Sequence, residues 1–244
     1  MRIRLDRWLA ALALGSRSQV KELIRRGAVA VDGKTVKDPA EAFEPGACVL
    51  VVSGRPVDGR TERHVMLHKP SGVLTAARDP KQPTVMNLLD GVYASLECMP
   101  VGRLDKDTTG ILILTTDGEL NHRLLAPGRH VDKVYEAEVT GRLTEKDVSA
   151  FAEGLDLSDF RAEPALLEIL AAGDGSSRAR VTVHEGKFHQ VKRMFSAVGH
   201  EVTRLHRRSF GPLELDPDLP EGQARELTAE ELRLLKQAAG MEEA

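Results

Sequence analysis

Two aspartates, Asp105 and Asp107, lie between two glycines in the stretch Val-Gly-Arg-Leu-Asp-Lys-Asp-Thr-Thr-Gly, residues 101–110. An ionised carboxylate can act as a nucleophile, because a covalent intermediate divides one difficult reaction into two easier steps. Gly102 and Gly110 indicate tight turns, which would give the acidic loop a defined shape. In the alternative interpretation the two carboxylates only cap the loop.

The element that must position this loop is the apolar run of residues 111–114, Ile-Leu-Ile-Leu. The run predicts a buried strand, because it is too short for a buried helix and rich in isoleucine. Residues 105–109 also partly fit the Asp-x-Asp-x-Thr signature of phosphate-transferring hydrolases of the haloacid dehalogenase type. In those enzymes the aspartates follow an apolar strand and lie at its carboxyl edge. Here the strand comes after the aspartates, and this order counts against such a hydrolase.

Two later segments carry further reactive groups. Residues 133–139 alternate as a strand and contain Tyr135, one of only two tyrosines in the chain. Residues 181–195 predict a strand, a glycine turn and a helix that carries Lys192 and Arg193. Taken alone, Tyr135 could simply pack in the core. The histidines lack ligand spacing such as His-Glu-x-x-His, so we expect no metal site.

Together these segments resemble, in order, three motifs of pseudouridine synthases of the RsuA/RluA superfamily. The motifs are Gly-Arg-Leu-Asp with Thr-Thr-Gly, Lys-x-Tyr, and His-Gln-Val-Lys-Arg-Met-Phe. The resemblance implies that Asp105 is the nucleophile, that Tyr135 stacks on the target base and that Lys192 forms a salt bridge with Asp105. Isomerising uridine requires neither a redox change nor a group donor, so no cofactor is expected. Whether Asp105 attacks the ribose or the base stays open.

The same part of the chain offers residues that could hold RNA. They are Arg103, Lys69, Lys133, Arg193 and Leu205. Arg103 would share a side with Asp105 in an extended segment, and we expect it to contact a phosphate or the displaced strand. Residues 68–70, His-Lys-Pro, are similar to a motif of the family. Lys69 of this motif could contact a substrate phosphate, or simply face water. The resemblance implies that Leu205 lines the uracil pocket.

The amino-terminal segment has a different pattern. Residues 3–14 and a second segment that ends at Gly27 have apolar residues at helical spacing, and Asp32-Gly33 between β-prone runs predicts a hairpin. Residues 2–53 resemble the RNA-binding module named after ribosomal protein S4. By that resemblance Arg17, Lys21, Arg25, Arg26 and Lys34 face phosphates.

Residues 53–63 are polar, contain glycine and show no periodicity, so they are interpreted as a linker. We therefore expect an S4-like domain over residues 1–58 and a catalytic domain over residues 62–240. The fold class is α+β: a small S4-like module, then a pseudouridine synthase domain with a mixed, mainly antiparallel central sheet flanked by helices.

Charge is distributed unevenly along the 244 residues, although the net charge is only −3. Residues 1–60 carry eleven Arg/Lys against seven Asp/Glu, residues 178–208 carry eight against two, and residues 212–244 carry three against nine. Two basic zones suit a polyanionic partner, although solvated faces without a partner are the alternative. With no apolar leader, no long apolar span and only Cys48 and Cys98, a cytoplasmic protein is expected.

The resemblance covers residues 2–238 and implies an isomerase that converts a uridine of ribosomal RNA to pseudouridine. Gln-Val-Lys-Arg-Met-Phe and Leu-His-Arg are most similar to the RsuA group, which modifies small-subunit (16S) rRNA. A large-subunit (23S) rRNA synthase and a non-catalytic rRNA-binding or assembly protein are the alternatives. The expected partner is ribosomal RNA in a partly assembled small subunit. We expect a monomer with no membrane contact.

Overall fold

The computed structural model describes residues 2–241 and divides the chain into two compact units. The first unit extends to Arg63 and also includes Leu89–Met99, and the second contains His64–Leu88 and the chain from Pro100 onward. The helices are α1 (Leu5–Ala11), α2 (Arg17–Arg25), α3 (Gly91–Ser95), α4 (Gly118–Leu125), α5 (Glu145–Glu153), α6 (Gln190–Ala197) and α7 (Ala229–Ala238), with 3₁₀ turns at Val85–Leu88 and Pro127–Arg129.

The strands are short in the first unit and longer in the second. They are β1 (Ile3–Arg4), β2 (Val29–Val31), β3 (Lys34–Thr35), β4 (Ala42–Phe43), β5 (Leu50–Val52), β6 (Arg55–Val57), β7 (His64–Lys69), β8 (Met99–Pro100), β9 (Thr109–Thr115), β10 (Lys133–Thr140), β11 (Leu166–Ala172), β12 (Ser176–Val183), β13 (Val202–Phe210), β14 (Leu213–Glu214) and β15 (Ala224–Glu226).

The first unit packs α1 and α2 against a four-stranded sheet of order β3-β2-β5-β6. Ser16 begins α2 with a capping box, in which its side chain accepts from the backbone of Gln19 and the Gln19 side chain accepts in return. The predicted hairpin is confirmed: Asp32 and Gly33 both have positive φ and join the antiparallel strands β2 and β3. Trp8 is fully buried, and its Nε1 donates to the Gly59 carbonyl over 2.8 Å.

Two sequence predictions for this unit need correction. The helix predicted from residue 3 begins only at Leu5, because Ile3 and Arg4 form β1 and pair with β4. The linker predicted over residues 53–63 is interrupted by a strand: Arg55–Val57 forms β6, which pairs antiparallel with β5. Ser53 and Gly54 have positive φ and provide the turn between these strands.

The second unit is built on a mixed, mainly antiparallel sheet, as predicted. Its main path runs β11-β12-β10-β13-β9-β7-β15, and β9 pairs parallel with β13 whereas the other pairs along the path are antiparallel. Every residue of β9 is buried. The acidic carboxyl-terminal segment forms β15 and α7, and Leu235 of α7 belongs to the same buried cluster as Ile113 of β9.

Gly110 permits the close approach of β9 and β13. It lies opposite Arg207 in the parallel pair and has φ of +112°, a conformation that L side chains rarely adopt. A Cβ atom at this position would collide with the backbone of Arg207. The acidic loop therefore leads directly into a strand that is in tight contact with its neighbour.

Between residues 2 and 241, the structure contains no helix that is both long and apolar enough to cross a bilayer.

Candidate active site

The acidic loop before β9 is held in place by hydrogen bonds to its backbone. Thr75 Oγ1 donates to the Leu104 carbonyl over 2.8 Å and accepts from the Leu104 amide over 3.2 Å. The Gly72 amide donates to the Lys106 carbonyl over 2.8 Å. Leu104 and Thr108 are buried, so the loop is anchored on both sides of Asp105. Such anchoring holds a reactive side chain in a constant position.

Lys69 has a different environment from the predicted phosphate contact. Its side chain is fully buried at the end of β7, and its Nζ donates to the carbonyls of Pro70, Lys106 and Thr108 over 2.9, 3.2 and 3.0 Å. Burial lowers the pKa of Lys69 to about 8, although the nearby charges of Asp107 and Asp105 act in the opposite direction. Two of the three ammonium hydrogen bonds therefore hold the acidic loop, and the third goes to the Pro70 carbonyl.

Four charged or polar side chains meet where this loop faces the start of α6. Lys192 Nζ lies 2.5 Å from Asp107 Oδ1 and 3.4 Å from Asp105 Oδ2. His189 Nε2 lies 3.5 Å from Asp105 Oδ1. The Asp105 side chain is 24% exposed, so a substrate can reach it.

Asp107 and His189 are the members of this cluster that the sequence interpretation did not assign. The hydrogen bond from Lys192 is the main cause that lowers the pKa of Asp107, and the charges of Lys192 and His189 contribute. Lys192 is thus shared between two carboxylates, although the resemblance paired it only with Asp105. The available signals were spacing: Asp107 follows Asp105 by two residues, and His189 precedes Lys192 by three at a helix start.

A cleft that is open to solvent lies beside the cluster. Asp105, Tyr135 and Lys192 all line it, together with Leu205 of β13. Tyr135 is mostly buried on β10, where the pairing with β13 shifts register beside it. The structure therefore brings together, around one cleft, the three residues that the motifs single out.

Three further candidates of this unit remain. Arg103 is exposed, whereas Arg193 and Lys133 contact other residues of the protein. Arg103 is exposed at the cleft and makes no hydrogen bond or ion pair with any residue from 2 to 241. Arg193 contacts Asp159 and Ser158 and lies with its guanidinium 5.0 Å from the ring centre of Phe160.

Lys133, like Lys69, uses its ammonium inside the protein. Its Nζ donates to the carbonyls of Val131 and His184, each over 2.7 Å, and its side chain is buried. Burial lowers the pKa of Lys133 to about 8, and the charge of Arg207 adds to this effect. This geometry differs from the RNA contact predicted for Lys133.

In the first unit the predicted phosphate-binding residues are largely exposed. Arg17, Lys21 and Arg25 recur every four residues along α2 and therefore share one face of the helix. Lys21 Nζ lies 3.8 Å from Asp6 Oδ2, and Arg26 Nη1 lies 3.8 Å from Glu22 Oε1. Lys34 is exposed in β3, next to the hairpin turn.

Within the part of the chain that the structure describes, no three His, Cys, Asp or Glu side chains come together in a way that could hold a metal ion.

Comparison with protein families yields two matches. The family described as RNA pseudouridylate synthase matches residues 63–197, and the S4 domain family matches residues 3–47.

Individual relatives match over almost their whole length. The uncharacterized RNA pseudouridine synthase YtzG of Bacillus subtilis (strain 168) is 44% identical over 96% of this chain and 99% of its own. Ribosomal small subunit pseudouridine synthase A of Pseudomonas aeruginosa is 41% identical over 94% and 99%, and that of Escherichia coli (strain K12) is 36% identical over 94% and 98%. A crystal structure of a pseudouridylate synthase aligns with a TM-score of 0.66 at 34% identity, covering 96% of this chain and 99% of that one.

Proposed function

Because the chain belongs to the RNA pseudouridylate synthase family, we propose that it converts a uridine of small-subunit ribosomal RNA to pseudouridine, with Asp105 as nucleophile. The small-subunit assignment is supported by similarity to relatives named ribosomal small subunit pseudouridine synthase A, at 36–41% identity over 94% of the chain.

The observation that carries the assignment of Asp105 is its position with Tyr135 and Lys192 around one cleft. These residues lie far apart in the sequence, on the acidic loop, β10 and α6. Lys192 Nζ lies 3.4 Å from Asp105 Oδ2, so a positive charge faces the carboxylate, whose ionised form is the nucleophile. Tyr135 offers an aromatic face, and Leu205 an apolar one, to a planar base.

The reaction then needs only residues of this chain. The bond from ribose to uracil N1 breaks and a bond from ribose to C5 forms, while one proton leaves C5 and one is gained at N1. Asp105 divides this exchange into two steps by forming a covalent intermediate with the substrate. Tyr135 holds the ring flat and near the carboxylate while it is detached and turned.

The uridine must leave its base stack before it can enter the cleft, at a cost of a few kcal/mol. Arg103 is exposed at the cleft, and we assign it a contact with a phosphate or the displaced strand. Exposed Arg17, Arg25 and Lys34 would add phosphate contacts that carry no sequence information. These contacts offset the cost of extruding the base.

We also propose residues 1–58 as the RNA-binding domain and residues 62–240 as the catalytic domain, although the structure groups Leu89–Met99 with the first unit. The family matches over residues 3–47 and 63–197 support this division. The protein would act as a monomer in the cytoplasm, on RNA within a partly assembled small subunit.

The test is to incubate the protein with protein-free and partly assembled ribosomal RNA of both subunits and to map pseudouridine. The variant Asp105→Asn should abolish modification, and Asp174→Asn, at an almost fully exposed position of the same unit, should not. Modification by Asp105→Asn at the wild-type rate would remove Asp105 from its role. Modification confined to large-subunit RNA would contradict the substrate, and no modification of any RNA would favour a binding protein.

A further inference from the structure

One aromatic side chain beside the cleft has no structural explanation in the fold. Phe188 is 76% exposed, more than any other large hydrophobic side chain between residues 2 and 241. It does not contribute to the core, and water is an unfavourable environment for a phenyl ring. An exposed aromatic ring next to the cleft proposed for the target uridine is available to stack on a second base.

Phe188 is not a freely turning ring. It stacks on His189 with ring centres 3.8 Å apart and ring planes 17° from parallel. His189 lines the cleft and has its Nε2 3.5 Å from Asp105 Oδ1. One face of Phe188 is therefore covered by His189, and the stacked pair extends outward from the cleft that holds Asp105.

The backbone that carries this pair is held from both sides. Arg193 Nη1 donates to the Phe188 carbonyl over 3.4 Å, and the Lys187 amide donates to Gln190 Oε1 over 3.1 Å. His189 has φ of +51°, in the left-handed region, and precedes the first residue of α6. The segment therefore presents the ring in a defined position, which reduces the entropy lost on binding.

We propose that Phe188 stacks on a nucleobase directly adjacent to the target uridine in the substrate RNA. The Phe188–His189 pair would then recognise an unpaired neighbour of the target, since only an unstacked base offers a free face. Stacking is sequence-tolerant, because every base has an aromatic face. This inference rests on the proposed function and adds a substrate feature to it: RNA that is single-stranded beside the uridine.

A nucleobase fits this surface better than a protein side chain does. The ring lies next to a cleft for a base, and the positive charges of Lys187, Lys192 and Arg103 also line that cleft. Cations surrounding an aromatic ring are the usual composition of a single-stranded nucleic-acid site, in which the cations follow the phosphates. Docking of a ribosomal protein is the competing occupant, and the experiment distinguishes it.

The experiment uses the full-length protein with two substrates, protein-free RNA fragments that span the modified uridine and partly assembled small subunits. Phe188→Ala is compared with Phe188→Trp, which keeps an aromatic face, and with Leu166→Ala, another exposed apolar side chain of the same unit. Replacing an aromatic residue that stacks on a base by alanine corresponds to a loss of about 10-fold in kcat/KM. We expect that loss for Phe188→Ala, recovery in Phe188→Trp and no change in Leu166→Ala.

The same RNA is then prepared with an abasic site at each of the two nucleotides that flank the target. One abasic site should reduce wild-type kcat/KM by about the same 10-fold, and it should reduce Phe188→Ala no further. Full activity of Phe188→Ala on protein-free RNA, or independent losses from the abasic site and the variant, would overturn the proposal. A loss seen only with partly assembled subunits would indicate a protein occupant instead.

Binding provides a readout that does not depend on turnover. With 2-aminopurine at the flanking position, wild-type protein should quench its fluorescence and Phe188→Ala should not, because the fluorescent base stacks on the ring. Quenching without pseudouridine formation would contradict the proposed function and leave the stacking intact. Pseudouridine formation without quenching at either flanking position would overturn the stacking and leave the proposed function intact.

Discussion

Several positive charges of the two units lie in different environments. In α2 of the first unit, Arg17 and Arg25 are exposed, and Arg17, Lys21 and Arg25 share one helix face. In the second unit, Lys69 and Lys133 are buried with their ammonium groups on backbone carbonyls. Buried lysines such as Lys69 and Lys133 hold backbone carbonyls, and a count of charges along the chain does not separate them from exposed cations.

The largest effect is expected at Lys69. Lys69→Met removes the ammonium hydrogen bonds to the carbonyls of Lys106 and Thr108, so the acidic loop loses part of its anchoring. We expect the free energy of unfolding, measured by urea denaturation, to fall by about 2–4 kcal/mol, and modification to be almost lost. The matched change Lys34→Met, at an exposed lysine of the first unit, should alter stability by less than about 0.5 kcal/mol. Equal stability of the two variants would contradict the comparison.

The second prediction concerns pH. The pKa of Lys69 and of Lys133 is about 8 in the folded protein against an ordinary 10.5. Between pH 8 and 10.5 the unfolded chain therefore binds more protons at these lysines than the folded chain does, and stability rises with pH. The penalty of the buried charge is fully present below that interval and absent above it.

The measurement for this prediction is the free energy of unfolding at pH 7.5 to 10.5, the upper limit being the ordinary lysine pKa. The rise should be smaller in Lys69→Met than in wild type by about 1–3 kcal/mol. Lys34→Met should follow the wild-type curve. If the Lys69→Met curve had the same slope as the wild-type curve, Lys69 would not titrate in this interval.

The third prediction tests how Lys192 is held. Asp107 accepts from Lys192 over 2.5 Å, whereas Asp105 lies 3.4 Å away. In Asp107→Asn, Lys192 loses its closer carboxylate, and we expect kcat to fall about 10-fold with little change in KM, since the lysine is no longer positioned beside Asp105. Asp79→Asn, at an exposed carboxylate of the same unit, is the control. An unchanged kcat would mean that Asp107 only caps the loop.

The smallest effect is expected for single cations of the first unit. Arg17→Ala or Arg25→Ala should weaken RNA binding by a small factor on every sequence and lower the slope of log affinity against log salt by about 1. The readout is RNA affinity measured at several salt concentrations. Lys133→Met, whose ammonium lies on the carbonyls of Val131 and His184, should leave that slope unchanged. A reduced salt slope in Lys133→Met would indicate that Lys133 contacts the RNA.

Local patterns predicted most elements of the fold correctly. The Asp32-Gly33 turn and the buried strand β9 follow from residue types at short range. The linker interpretation of residues 53–63 is wrong for residues 55–57, because these polar, glycine-containing residues show no periodicity and their pairing with β5 depends on the tertiary fold. The inclusion of Leu89–Met99 in the first unit has no local signal.

Part of the candidate site was predictable from motif resemblance rather than from local patterns. Motif resemblance singled out Asp105, Tyr135 and Lys192, and the structure places them around one cleft. Composition and periodicity alone could not have done this, because their meeting depends on the order of strands in the sheet. The burial of Lys69 was also out of reach, since its acceptors lie 37 and 39 residues away in the chain.

The way the second unit is closed has a consequence for its synthesis. β15 completes the sheet edge beside β7, and Leu235 of α7 completes the cluster that contains Met66 and Ile113. These elements are synthesised after the strands that they cover, so a nascent chain has an unpaired strand edge and uncovered apolar side chains until residue 238 emerges. The second unit therefore completes its sheet and its apolar core only after α7 has been made.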